Sequence, residues 1–197
     1  VTLSIVKNIQ VQPQCVQKLC YDENVYRAWG GNKEFQEIMQ AGLECIGYID
    51  NYAIGEVVLL AAKSLQMIQE PFVLSLSHMG FLYGFLEEAN LDMMQQGRIL
   101  TAFSSKNKKE LLSLCQEFSV SAPLISRIEK LSALYGSVVE AVPLLKELSV
   151  NPKTEAAWKQ LEEIGFLLQE NGYKEQIVVD FSLTDNGDYY NGVIFKG

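Results

Sequence analysis

The stretch Ile38-Met39-Gln40-Ala41-Gly42-Leu43-Glu44-Cys45-Ile46 alternates with a period of two along the chain. Because successive side chains of a β-strand point to opposite faces, this pattern predicts a strand with Gln40 and Glu44 on one face. The rise of a strand places these two residues about 13 Å apart, so their long side chains can converge on a ligand of amino-acid size. The stretch therefore predicts a strand that directs polar groups into a shared cleft.

Short steps of alternating apolar and polar residues also run from Cys15 to Trp29, ahead of this strand. They are followed by Gly30-Gly31-Asn32, and glycine and asparagine are typical turn residues. The two segments therefore predict antiparallel strands joined by a loop.

Beyond residue 50 the pattern changes between helical spacing and short apolar runs. We predict an α+β fold, mainly an antiparallel sheet flanked by helices, with residues 1–90 and 150–197 forming the core. Residues 91–149 show only helical patterns and are predicted to form a helical insert. The predicted elements are a helix from Tyr52 that ends before Pro71, a strand over 72–76, a helix over 78–89, a long helix opened by Asn151-Pro152 and closed by Asn171-Gly172, and strands over 177–181 and 189–195.

The composition limits the classes of protein to which the chain can belong. The 197 residues include 24 acidic and 16 basic side chains, a formal charge of -8, whereas nucleic-acid-binding surfaces normally carry an excess of lysine and arginine. Without a signal-peptide pattern or an apolar run approaching the roughly 20 residues of a membrane span, we expect a cytoplasmic protein. The four cysteines contain no Cys-x-x-Cys pair and there is one histidine, so we expect structural, mostly buried thiols, no metal site and no cofactor.

Two motifs resemble the catalytic domain of histidyl-tRNA synthetases and of their non-catalytic paralogue, the ATP phosphoribosyltransferase regulatory subunit. The first is Tyr26-Arg27-Ala28-Trp29 followed by residues 36–44, similar to an arginine ahead of an R-E-F-x-Q-x-G-x-E strand. The second covers residues 183–195 and is similar to L-V-R-G-L-D-Y-Y-x-x-x-V-F. Val1-Thr2 looks like the end of an R-P-D-x-T element, and residues 77–81 agree as well. The resemblance implies a class II aminoacyl-tRNA synthetase-like core whose first part precedes residue 1.

The same resemblance implies a histidine-like ligand pocket. In such enzymes the position of Arg27 holds a phosphate, which a planar, permanently charged guanidinium binds well. The positions of Gln40 and Glu44 grip histidine. We expect Tyr189 and Tyr190 to alternate across the last strand, with one hydroxyl toward the cleft and the other ring in the core.

The chain departs from both motifs at positions where the motifs have arginine. Asp185 falls where the second motif has arginine, and Gln36 replaces an arginine of the first. A cation stabilises the negative charge that develops when a carboxylate meets the α-phosphate, and losing one such donor costs on the order of 3 kcal/mol. Repulsion at about 4 Å adds several kcal/mol at an effective dielectric constant near 20. His78 matches a family histidine, but no nucleophile accompanies it, so we predict no catalytic residue.

The resemblance thus implies a non-catalytic regulatory subunit of ATP phosphoribosyltransferase, the enzyme of the first step of histidine biosynthesis. In that family the subunit enables a short catalytic subunit and contributes to feedback inhibition by histidine, and we expect a homodimer within a hetero-oligomer. The acidic charge disfavours tRNA as a partner. One alternative is a divergent histidyl-tRNA synthetase fragment that activates histidine with ATP through Arg27, Gln40, Glu44 and Tyr190. Another is a synthetase paralogue with a different signalling or modification role.

Overall fold

The computed structural model of the protein describes residues 1–10, 15–28, 35–185 and 189–197. These residues divide into two compact units, Val1–Val57 and Val58–Gly197. The predicted division into a core and a helical insert stays a prediction. In chain order the helices are α1 (Thr2–Asn8), α2 (Asn51–Gln66), α3 (Met79–Glu88), α4 (Met93–Ser104), α5 (Lys108–Glu117), α6 (Ala122–Ser132), α7 (Val138–Leu148) and α8 (Pro152–Glu170), and the strands are β1 (Val16–Ala28), β2 (Phe35–Gly47), β3 (Leu74–His78), β4 (Tyr135–Ser137), β5 (Ile177–Asp180) and β6 (Val193–Lys196).

The first unit contains a long β-hairpin. Strands β1 and β2 pair antiparallel over thirteen residues each, with Tyr21 opposite Gly42 and Leu19 opposite Glu44. This confirms the predicted antiparallel strands, while the predicted turn at 30–32 lies outside the described residues. Directly opposite residues share a face of the hairpin, so the register sets which side chains can meet.

The second unit contains a four-stranded sheet in the order β4-β5-β3-β6. Strand β3 pairs parallel with β5 and antiparallel with β6, and β5 pairs antiparallel with β4. The sheet is therefore mixed. Strands β3 and β5 can pair parallel because the chain between them forms a helical crossover. Strand β4 also departs from the prediction of helices alone over 91–149, since three residues are too few to show a period of two.

Helix α8 is anchored at its start. Asn151 caps it by accepting from Thr154 N and donates through Nδ2 to Gly84 O of α3, at 2.8 Å. A Cβ on Gly84 would lie 2.5 Å from Cγ2 of the fully buried Thr154, so the two helices can approach this closely only at a glycine. The predicted end is confirmed as well, because Gly172 adopts φ +87° just after the helix.

The thiols only partly follow the prediction. Cys115 is buried and its pKa is raised by desolvation, as expected for a structural thiol. Cys15 and Cys20 are exposed, because Cys15 directly precedes β1 and Cys20 lies on that strand of the hairpin rather than inside the helical core. Of the helices in the described part of the chain, not one combines the length and apolar character that a membrane span requires.

Candidate functional site

The hairpin brings the predicted polar residues of the first unit onto one face. Arg27 Nη2 donates to Gln40 Oε1 at 2.8 Å, and Gln40 Nε2 donates to the Tyr21 hydroxyl oxygen at 2.8 Å. Gln40 and Tyr21 are half-buried, whereas Arg27 is exposed. The three side chains therefore form a continuous hydrogen-bonded row across the two strands.

Glu44 extends this polar face beyond Gly42. Its Oε1 accepts a hydrogen bond from the hydroxyl of Thr2, at the start of α1. The sequence marks Thr2 only as part of a motif, and the period-two pattern by itself does not single out Tyr21 as a site residue. Once the register is known, the signal for Tyr21 is plain, because an aromatic residue faces a glycine directly across the hairpin.

The charge on this face does not suit triphosphate binding. Arg27 is the only cation that the described residues of β1 and β2 place there, and its cross-strand neighbour is Gln36. Glu23 lies opposite Gln40 on the same face, and Glu44 carries a second negative charge. The face can hold a small zwitterionic ligand more readily than a polyanion.

In the second unit, Asp185 has a structural role that its place in the motif does not indicate. Its Oδ2 accepts hydrogen bonds from the backbone N–H groups of Tyr189 and Tyr190, at 3.2 and 3.1 Å. Its own N–H donates to Sδ of the buried Met79 at 3.5 Å. The carboxylate thus links Asp185 to the backbone of Tyr189 and Tyr190, and residues 186–188 between them lie outside the described residues.

The prediction that Tyr189 and Tyr190 alternate across the last strand is wrong. Strand β6 begins only at Val193, and the two side chains are 55% and 50% exposed. Their N–H groups bond to Asp185 instead of a neighbouring strand, which explains the late start of β6. The rings meet edge to face, with centroids 4.8 Å apart, and neither lies in the core.

Comparison with known proteins identifies the family of the chain. Residues 1–197, the whole chain, match the family described as histidyl-tRNA synthetase. The chain belongs to the histidyl-tRNA synthetase family. Within that family, it is 29% identical over 186 residues to the ATP phosphoribosyltransferase regulatory subunit of Clostridium kluyveri, covering 91% of this chain and 47% of that relative.

Solved structures agree with the α+β fold of class II synthetases. An ATP phosphoribosyltransferase regulatory subunit/histidyl-tRNA synthetase from Bacillus halodurans matches with a TM-score of 0.81 and 25% identity, over 98% of this chain and 49% of its own. The ATP phosphoribosyl transferase (HisG:HisZ) complex from Thermotoga maritima matches with a TM-score of 0.77 and 21% identity, over 98% of this chain and 68% of that one. The chain spans less than half the length of the curated relatives it matches.

The single histidine of this histidyl-tRNA synthetase family member has a structural role. His78 Nδ1 accepts from Gly80 N at 3.0 Å and so caps α3, while Nε2 lies 2.8 Å from Gln160 Oε1. Since Nδ1 is an acceptor, Nε2 carries the proton and donates to the amide oxygen. Desolvation lowers the pKa of His78, and the ring is therefore neutral near pH 7.

The predicted pocket residues fall into two groups. Arg27, Gln40 and Glu44 belong to the first unit, and Tyr189 and Tyr190 belong to the second. Each group is ordered by its own hydrogen bonds. That the groups line a single ligand pocket stays a prediction from the family resemblance.

Proposed function

We propose that the chain is the synthetase-like part of a non-catalytic regulatory subunit of ATP phosphoribosyltransferase. Its partner is a short catalytic subunit of that enzyme, it assembles as a homodimer within a hetero-oligomer, and it works in the cytoplasm. The names of its relatives support this role, as does the complex to which its fold is similar.

The observation that carries the non-catalytic role is the state of Asp185. An active synthetase needs a cation where this carboxylate stands, and the carboxylate is bound to the backbone of its own loop. Replacing Asp185 with arginine would restore the positive charge but would remove the acceptor of these two hydrogen bonds. The chain therefore differs from an active synthetase in its backbone contacts as well as in charge.

We further propose that the polar face of the hairpin binds histidine as an effector. Arg27, Gln40 and Glu44 offer a guanidinium, an amide and a carboxylate on one face, matching the mixed charges of a free amino acid. Tyr189 and Tyr190 of the second unit are assigned to histidine binding from the family resemblance alone. A ligand that binds one conformation of the complex more tightly shifts its equilibrium by that difference in affinity, which is sufficient for feedback control.

The test is reconstitution with a short catalytic subunit. We expect formation of phosphoribosyl-ATP only when both proteins are present, and inhibition by histidine that is weakened in Gln40→Ala. Glu37→Gln is the matched control, since Glu37 lies on the opposite face and bonds to Asn24 and Tyr26 there. If the catalytic subunit gains no activity from the protein, the regulatory role is wrong.

The retained polar row favours a second candidate, an active histidyl-tRNA synthetase fragment. Thr2, Arg27, Gln40 and Glu44 keep the family residue types and lie on one hairpin face or against it. ATP–pyrophosphate exchange dependent on histidine separates the two candidates. Sustained exchange would establish the enzyme, and exchange no faster than without protein supports the regulatory subunit.

A further inference from the structure

The orientation of the Gln40 amide is fixed by its two neighbours. A guanidinium has only donors, so the atom of Gln40 that faces Arg27 must be the carbonyl oxygen. The NH2 group must then face Tyr21, whose hydroxyl oxygen accepts from it at 2.8 Å. Among the described residues each end of the amide has one partner, which leaves one N–H and one lone pair at defined positions for a ligand.

Tyr21 is itself held in place by the hairpin. A Cβ on Gly42 would lie 2.3 Å from Cζ and from the hydroxyl oxygen of Tyr21, so the ring lies directly over the glycine. Tyr21 and Gly42 are directly opposed in the antiparallel register. Any side chain at residue 42 would displace the ring, and the hydroxyl would leave Gln40.

We propose that Tyr21, seated on Gly42, is a positioning residue that fixes the amide of Gln40 and so sets the donor and acceptor pattern offered to the ligand. This inference rests on the proposed binding of histidine at the hairpin face. Tyr21 acts through Gln40: without its hydroxyl the amide is held only at its oxygen, by the exposed Arg27, and a ligand that needs the free N–H must first order the NH2 end. The Tyr21–Gly42 pair thereby determines specificity for ligands with an acceptor at that point.

The first test follows the side-chain amide signals of Gln40 by NMR, assigned from their loss in Gln40→Ala. Tyr21→Phe keeps the ring and removes the hydroxyl, and we expect the two N–H signals to move toward the positions of a solvent-exposed glutamine amide. Tyr26→Phe is the matched control, since the Tyr26 hydroxyl bonds to Glu37 on the opposite face. Gln40 signals that Tyr21→Phe leaves unmoved would overturn the proposal.

A second variant is expected to break the hydrogen bond between Tyr21 and Gln40 without deleting the hydroxyl. Gly42→Ala retains Tyr21 but forces its ring away, and we expect the Gln40 signals to change as in Tyr21→Phe. Because both substitutions lie in a hairpin, circular dichroism verifies that the strands persist. If the Gln40 amide signals are unchanged in folded Gly42→Ala, the role proposed for Gly42 is wrong.

Calorimetric titration with histidine tests the consequence for binding. We expect Tyr21→Phe to weaken binding about fivefold, and to cause no further loss when Gln40 is already alanine. Equal losses in both backgrounds would show that Tyr21 acts independently and overturn the proposal. If the unsubstituted protein binds no histidine while the Gln40 signals move as expected, the proposed effector is wrong and the positioning role is supported.

Discussion

Replacing Gly165 with alanine tests how closely α7 and α8 are packed. An ideal Cβ on Gly165 would lie 2.2 Å from Cγ1 and 3.0 Å from Cβ of Val138, the buried first residue of α7. Carbon atoms in contact are normally separated by about 3.5–4.0 Å, so Val138 must move by more than 1 Å. It cannot move freely, because the preceding residue, Ser137, caps α7 through Glu140.

The expected magnitude is the difference between two effects. Overpacking of a close helix contact costs about 1–3 kcal/mol, while alanine in a helix interior is about 1 kcal/mol more favourable than glycine. We expect Gly165→Ala to lower the free energy of unfolding by about 1 kcal/mol, the middle of a range of about 0–2 kcal/mol, which lowers the Tm of a protein of this size by about 2–4 °C.

Gly97 in α4 provides the matched control, since a Cβ there would meet no atom within 4 Å. Only the backbone term remains for Gly97→Ala, and we expect stabilisation by about 0.5–1 kcal/mol. Thermal unfolding and urea titration of the two variants measure the difference. The reasoning is refuted if Gly165→Ala is as stable as Gly97→Ala, because the close contact with Val138 would then carry no cost.

Three further predictions concern ionisable groups. The ring signals of the only histidine, His78, should titrate below pH 6.5 in NMR spectra, because burial lowers its pKa; the unfolded chain then binds the proton first, and stability should fall as the pH drops below 6.5. A midpoint at or above 6.5 would contradict the buried cap. Asp185→Ala should accelerate hydrogen exchange at Tyr189 N and Tyr190 N about tenfold, and Asp185→Asn less, since the amide keeps an acceptor. Burial alone would raise the pKa of Asp180, but hydrogen bonds from Ser182 and Lys106 lower it, so part of the stability should be lost as the pH falls toward 4. Urea denaturation at pH 7 and 4 should show a smaller difference for Lys106→Met, and an equal difference would exclude the ion pair as a cause.

Much of the architecture could be predicted from local patterns. The period-two stretches gave both strands of the hairpin, and helical spacing gave α2, α3 and α8 close to their observed bounds. Asn151 and Gly172 marked the limits of α8, because capping residues act through their immediate neighbours. Strand β4 escaped notice, since its pairing with β5 involves residues distant in sequence.

The residue types of the candidate site were likewise determined by the sequence, including Arg27, Gln40, Glu44 and the substitution at Asp185. Only the tertiary structure decided what these side chains bind, because that depends on strand register and loop closure. The register laid Tyr21 over Gly42 and against Gln40, and loop closure turned Asp185 toward the backbone of its own segment. Sequence records which groups are available, whereas the pairing of distant backbone segments determines which of them meet.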